Sequence, residues 1–327
     1  GAIGNQYFRY YNLANAEAIT LSGQVSIRWI ENKMNKYLNK VLKTDGEDYV
    51  IASDTDSIYL NLGPLVETVY KGREKTNEGV VTFLNKVSEM ELEPYIESSY
   101  QELADYVNAY DQKMIMKREN IASSGIWTAK KRYILNVWDS EGVRYEDPKL
   151  KMMGIEAVKS STPMPCRTAI KDALKIMMSG SEEDLITFID KFKDEFDLLP
   201  PEDIAFPRSV NGLRKFKASG TVYTKGTPLH VRGTLLYNFY VAKNKLEYKY
   251  PLVQEGEKIK YLYLRRPNKI NENVISFLNT FPRELGLEGQ IDRDAQFKKS
   301  FLDPLQIITK VIGWETERVA NLEFLFG

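Results

Sequence analysis

The sequence predicts an α+β fold, and three observations predict it. A long stretch with helical apolar spacing opens the chain. Two short β-rich runs then flank a tight acidic turn, and helical and β-rich segments follow in blocks rather than in strict alternation. In "NAEAITLSGQVSIRWIENKMNKYLNKVLK" the apolar residues Ile19, Val25, Ile27, Ile30, Met34, Tyr37, Leu38 and Leu42 fit a helix with one buried face from Val25 onward. Asp45-Gly46 breaks it. "YVIAS" and "IYLNL" read as a hairpin pinned to a buried sheet, closed by Gly63-Pro64. Residues 65–110 read as two or three helices, "EPYIESSYQELADYVNAY" being the clearest. "KMIMKRENIA" and "KKRYILNVW" read as strands flanking a Ser-Ser-Gly connection.

A boundary is expected near "KMMGIEAVKSSTPMP", where Ser160, Ser161, Thr162 and Pro163 signal the start of a helix over "CRTAIKDALKIMMSG". Helices then dominate: "EEDLITFIDKFKDEF", "HVRGTLLYNFYVAKNKL" and "RDAQFKKSFLDPLQIITKVIG", with a strand at "GEKIKYLYLRR". The last residues, "VANLEFLFG", are apolar.

Bulk properties narrow the function. One cysteine, Cys166, excludes an internal disulfide and a cysteine-built zinc site, and Cys166 itself reads as a packing residue. One histidine, His230, excludes a His–His metal pair. No apolar run approaches the roughly 20 residues of a membrane span, and the N-terminus lacks a signal pattern, so an intracellular protein is expected. Net charge is zero but unevenly spread: −7 over residues 1–112, +4 over 113–151, −3 over 152–200, +9 over 201–270 and −3 over 271–327. An acidic first third followed by basic blocks suits cations in one place and a polyanion in another. A solvated lysine-rich surface accounts for the same numbers.

Three groups could carry chemistry. Asp54 and Asp56 stand one residue apart at the hairpin turn. A bound divalent cation would offset their repulsion, and magnesium needs only one or two carboxylates when substrate phosphates complete its shell. A plain acidic turn is the other reading. Lys130, Lys131 and Arg132 precede a strand, either facing phosphate or as a solvated edge. Glu119 is a third acid for the site or an ion-pair partner of Lys117 or Arg118.

These stretches, taken in order, resemble the C-terminal part of a family B DNA polymerase of the kind encoded by T-even-like bacteriophages. "GAIGNQYFRYYNLANAEAIT", "SDTDSIY", "AKKRYILNVWD", "KMMGIEAVKSSTP", "PLHVRGTLLYN" and the terminal "NLEFLFG" carry the resemblance, which runs from end to end. It implies a palm segment over 1–155, a DNA-gripping thumb over 156–318 and a sliding-clamp-binding peptide over 319–327. It implies that Asp56 is a ligand of two catalytic Mg²⁺ ions and that Asp54 shapes the site, with Ser57 at the same turn. Lys130, Lys131, Arg132 and Tyr133 inherit a primer–template contact. Ser160, Ser161, Thr162, Arg214, Lys215, His230 and Arg232 inherit contacts to the duplex, and His230 serves equally as a structural hydrogen-bonding group. Leu322, Phe324, Leu325 and Phe326 inherit the clamp contact. Glu119 matches an acid near the metals, but Lys117 stands where T-even relatives have Asp, and Ser53 stands where many have Gly.

The resemblance also implies what is missing: the fingers lysines that hold the incoming dNTP, the other palm aspartate, and the exonuclease. The expected function is therefore the C-terminal subunit or fragment of a replicative DNA polymerase in the bacterial cytoplasm. It would be inactive alone and completed by an N-terminal chain that covers an exposed apolar face. A non-catalytic DNA- and clamp-binding module is the alternative.

Overall fold

Asn12 starts the first helix by accepting the Asn15 amide at 2.9 Å. Helix α1 (Leu13–Leu42) then runs to Lys43, which takes a left-handed conformation and closes the last turn onto the Asn39 carbonyl. Ile30, Met34 and Leu38 fall four residues apart and are fully buried, as their spacing predicts. The computed structural model describes residues 1–155, 159–217 and 220–318. The chain divides into two compact units: Gly1–Ser123 with Asn136–Lys149, and Ser124–Leu135 with Leu150–Gly327.

In the first unit α1 is followed by the hairpin β1 (Val50–Asp54) and β2 (Ser57–Leu60), then by α2 (Gly63–Val69), α3 (Asn77–Val87) and α4 (Glu93–Tyr106). A single π-turn, Ser88–Leu92, joins the last two. Ile30 and Met34 of α1, Val50 of β1 and Leu92, Ile96, Tyr100 and Leu103 at α4 form one core. Asn35 and Asn39, one helical turn apart, hold the hairpin's entry. The Asn35 Oδ1 accepts the amides of Tyr49 (2.8 Å) and Val50 (3.0 Å), and Asn39 pairs with both backbone groups of Glu47.

The hairpin itself is less buried than its apolar sequence predicts. Val50 is inside, but a β-bulge between Val50 and Ala52 turns Ile51 outward, and Ile58, Tyr59 and Leu60 are only half-buried.

Three strands follow: β3 (Asn120–Ala129), β4 (Arg132–Ser140) and β5 (Val143–Met153), in that order across one sheet, each joined to the next by a two-residue turn. Two expectations are corrected. Residues 113–119 form no strand, because their polar groups are taken elsewhere: Glu93 accepts the Arg118 amide at 3.0 Å and the Lys117 ammonium at 2.9 Å. The Ser-Ser-Gly stretch is not a connection but part of β3, where the Ser123 hydroxyl accepts from Asn136 of β4 at 3.1 Å. The turn falls instead at Lys130-Lys131. The third strand was not anticipated, since a run as charged as "VRYEDPKLK" carries weak strand signals; it lies at the sheet's edge, where charge is favoured.

Beside this sheet's turn Asp139 is 1% exposed and meets two cations. It accepts from the Arg118 guanidinium, from Arg144 Nε at 2.7 Å and from the Gly142 amide at 3.0 Å. The same guanidiniums reach α3: Arg118 donates to Asn85 Oδ1 at 2.6 Å and Arg144 to Thr82 Oγ1 at 3.1 Å.

The second unit packs α5 (Met164–Ser179), α6 (Glu182–Leu198), α7 (Pro201–Ile204), α8 (Leu213–Phe216), α9 (Leu229–Lys243), α10 (Arg293–Phe297) and α11 (Asp303–Ile312) with an antiparallel sheet. That sheet has the order β6 (Phe206–Ser209), β7 (Lys258–Tyr263), β8 (Val274–Phe277); only β7 was expected from the sequence. The predicted Ser/Thr cap before α5 is corrected. Pro163 occupies the cap position with no side-chain bond, Pro165 sits in the first turn, and Thr162 is buried in the preceding turn. A true capping box, Ser181 with Asp184, starts α6.

Gly233 lets α9 lie directly on β8: a Cβ there would sit 2.5 Å from the Ser276 Oγ and 3.0 Å from its amide. Phe192, Phe196, Phe297 and Phe301 interlock at centroid distances of 4.8–6.0 Å, tying α6 to α10 and the following turn. Cys166 is fully buried against Ser300, as its packing role predicts, and burial pushes its thiol up to about 11.

Burial alone would raise the Asp139 carboxyl, but the Gly142 amide and the two guanidiniums outweigh it and hold the group below its ordinary value. A depressed carboxyl contributes its stability above the unfolded value, about pH 3.9. The contribution disappears as pH falls through the lower folded-state value. Asp139→Ala should therefore cost about 3–5 kcal/mol near neutral pH, by leaving the Arg118 charge buried and unpaired. Urea unfolding at pH 7 should show this cost, and the gap between wild type and variant should close in strong acid.

Candidate functional site

The candidate residues fall in both units, and each group stands by itself. In the first unit Asp54 ends β1 and Asp56 begins the return to β2. The Asp56 amide donates to the Asp54 carbonyl at 2.6 Å, which closes the turn tightly. Thr55, between them, has φ +54°, a conformation costly for a β-branched residue. Its hydroxyl donates to Asp54 Oδ1 at 3.0 Å, and Ser57 Oγ donates to the Asp54 carbonyl at 3.2 Å. Asp54 is thereby half-buried and engaged within the turn, while Asp56 is exposed at its tip. Two neighbouring carboxylates thus have different surroundings: one is built into the turn, the other is presented outward.

Among the described residues no three His, Cys, Asp or Glu side chains gather into a metal-holding group. The donors present are oxygen only, which suits Mg²⁺ rather than zinc or copper. Asp56 fits as one ligand of such an ion, with the remaining ligands to come from elsewhere. Glu119 is exposed just before β3, its carbonyl accepting the Glu141 amide at 2.6 Å. Lys117 pairs with Glu93, and Arg118 with Asp139.

In the second unit Lys130 and Lys131 form the exposed tip of the β3–β4 turn, and Lys131 has φ +60°. Thr128 Oγ1 donates across the tip to the Arg132 carbonyl at 3.3 Å. Arg132 is half-buried. Tyr133 is 4% exposed, with its ring 6.4 Å from that of Trp127, so its body anchors the tip. Ser160 is exposed and Ser161 half-buried, whereas Thr162 is buried. Arg208, Arg214, Lys215, Lys217 and Lys225 of the basic block are exposed. Arg232 is half-buried: its guanidinium donates to Asn273 and lies 5.6 Å from the Tyr223 ring. Leu322, Phe324, Leu325 and Phe326 lie outside the described residues.

His230 stands at the start of α9, its ring 6.4 Å from that of Tyr261 on β7. Its carbonyl accepts from Thr234 and from Ser276 of β8. Burial, and then the nearby Arg208 cation, lower its pKa.

Sequence reasoning missed the residues that hold these tips. Asn35 and Asn39 were visible as an i, i+4 pair on the polar edge of α1. Thr55 and Lys131 in left-handed conformation had no sequence signal, since neither residue type favours it. Asp139 was visible only as a lone acid after an apolar strand.

No protein-family model matches the chain. Two curated relatives match it over its full length, both DNA-directed DNA polymerases. The one from Enterobacteria phage T4 is 37% identical over 339 residues, and the one from Escherichia phage RB69 is 38% identical over 338. The chain is thus a homologue of phage DNA polymerases, and its resemblance to those of T-even-like phages holds from end to end. It spans 37% of the length of each of these relatives.

With a single histidine the titration is directly legible. The two ring C–H resonances of His230 should titrate together by proton NMR with a pKa below 6.5. Because the charged form is disfavoured in the fold, its contribution to stability is present above that value and is lost as pH falls through the lower folded one.

Proposed function

We propose that the chain is the C-terminal part of a phage replicative DNA polymerase, supplying one catalytic metal ligand, a primer–template grip and a duplex-binding thumb to template-directed dNTP addition in the bacterial cytoplasm. The observation that carries this reading is identity of 37–38% along the entire chain to two DNA-directed DNA polymerases. In this reading Asp56 holds Mg²⁺ with an aspartate of an N-terminal chain, and Asp54 keeps the turn in shape. Magnesium bound there supplies charge stabilisation to the attacking 3′-oxygen and to the leaving oxygen. Lys130, Lys131 and Arg132 hold phosphates near the primer end. The exposed cations Arg214 and Lys215 grip the duplex without reading its sequence, as phosphate contacts do. His230, neutral at pH 7, serves there as a hydrogen-bonding group. The apolar residues at 322–326 dock on a sliding clamp.

The need for a completing chain has a second support. Among the described residues, most of the exposed large apolar side chains lie in the first unit: Tyr7, Tyr10 and Leu13 are 60–88% exposed, and Tyr106, Tyr110 and Ile115 are at least 81% exposed. So much exposed apolar area fits a surface that another polypeptide covers.

Primer extension tests the reading. The chain alone should not extend a primer. Mixed with a polypeptide corresponding to the remainder of its relatives, it should extend in Mg²⁺, and Asp56→Ala should abolish this. Extension by the mixture that survives Asp56→Ala would end the ligand assignment. Duplex binding with no extension by any such mixture would favour a non-catalytic binding module.

A further inference from the structure

The backbone of the Lys130-Lys131 tip is closely approached by a residue far away in sequence. Gly154 follows β5 and has φ +67°. A Cβ on it would lie 2.5 Å from the Lys131 carbonyl oxygen, 2.9 Å from Arg132 Cγ and 3.5 Å from Arg132 Cα. The first distance is below any tolerated contact, and the atom it meets is backbone rather than the end of a flexible side chain.

Gly154 cannot retreat. Ile155 beside it is fully buried in the unit's core, and Met152 packs against the same core. Beyond the tip Ile134 is fully buried and Ile126 nearly so. The yielding element is therefore the exposed tip itself, where Lys131 already holds a left-handed conformation.

We propose that Gly154 is a positioning residue for the phosphate grip: its bare Cα seats the Lys131–Arg132 peptide and so aims the two lysine ammonium groups at the duplex backbone. The inference rests on the reading of Lys130 and Lys131 as duplex contacts. It assigns Gly154 no contact with DNA.

The test is binding of a labelled primer–template by the full chain, measured by fluorescence anisotropy over a series of salt concentrations. Wild type is compared with Gly154→Ala, the double variant Lys130→Ala/Lys131→Ala, and the triple variant. Gly313→Ala is the control: Gly313 has φ +74° but open space around its Cα, so it carries the backbone strain without the contact. Gly154→Ala should weaken binding about as much as the double variant. It should also lower the slope of log K against log salt by about 1–2, the loss of one or two phosphate contacts. The triple variant should bind no more weakly than the double, because both changes remove the same contacts. Gly313→Ala should bind like wild type.

An unchanged salt slope in Gly154→Ala, or full additivity in the triple variant, overturns the proposal. A double variant that binds like wild type removes the grip reading and this inference with it. A weakened double variant beside a normal Gly154→Ala removes the inference alone. Should Gly154→Ala fail to fold, Thr128→Val decides, since it releases the Arg132 carbonyl at the same tip without touching the core. It should weaken binding in the wild-type background and be silent in the double variant, and no effect in either overturns the proposal.

Discussion

Much of the first unit depends on one buried charge. Asp139 sits almost without solvent, and it is tolerable there only because two guanidiniums and an amide meet it. The cations reach it from different places: Arg118 from the irregular segment before β3, and Arg144 from the start of β5. Each extends to α3, through Asn85 and Thr82. A stretch that would otherwise pair as a strand is thus drawn out of the ladder. Its backbone amide at Arg118 goes to Glu93 instead, and Glu119 is left just outside the sheet.

The two turns that carry the candidate chemistry share a construction principle. Each presents charge at an exposed tip and fixes that tip from behind. At Asp54–Ser57 the fixing is local: hydroxyls of Thr55 and Ser57 bond within the turn, while Asn35 secures the strand's entry. At Lys130-Lys131 the backbone behind the tip runs so close to Gly154 that no Cβ would fit between them. Both tips hold a non-glycine residue at positive φ. Such conformations persist only where surrounding contacts over-determine them, and they gather at sites where geometry matters more than stability.

The two units differ in how well they satisfy themselves. The second has a large core in which helices and sheet bury one another, with α9 lying on β8 through Gly233. The first has a small core and many exposed aromatic and aliphatic side chains. A half-buried hairpin bearing Asp56 belongs to that second description. Its apolar residues Ile58, Tyr59 and Leu60 stay half-buried on a two-stranded sheet.

Much of the fold was legible in the sequence. The α+β class, the acidic hairpin and all the main helices followed from apolar spacing, because a helix or strand that buries one face must repeat its apolar residues at the matching period. The identity of Asp56 and Lys130–Arg132 as candidates was likewise legible, since charges placed against apolar runs are unusual. The strand at 143–153 was not, because its stability comes from a neighbour rather than from its own charged residues. The cap before α5 was misread because Ser and Thr signal a cap only if the chain leaves them facing the helix end, and Thr162 turns inward. The sequence by itself determined which elements form and which charged residues stand at their turns. Only the tertiary structure decided which of the two aspartates flanking Thr55 faces outward, which arginines meet Asp139, and that Gly154 lies against the Lys131–Arg132 backbone. Those outcomes depend on contacts between residues far apart in the chain, and local propensity carries no record of them.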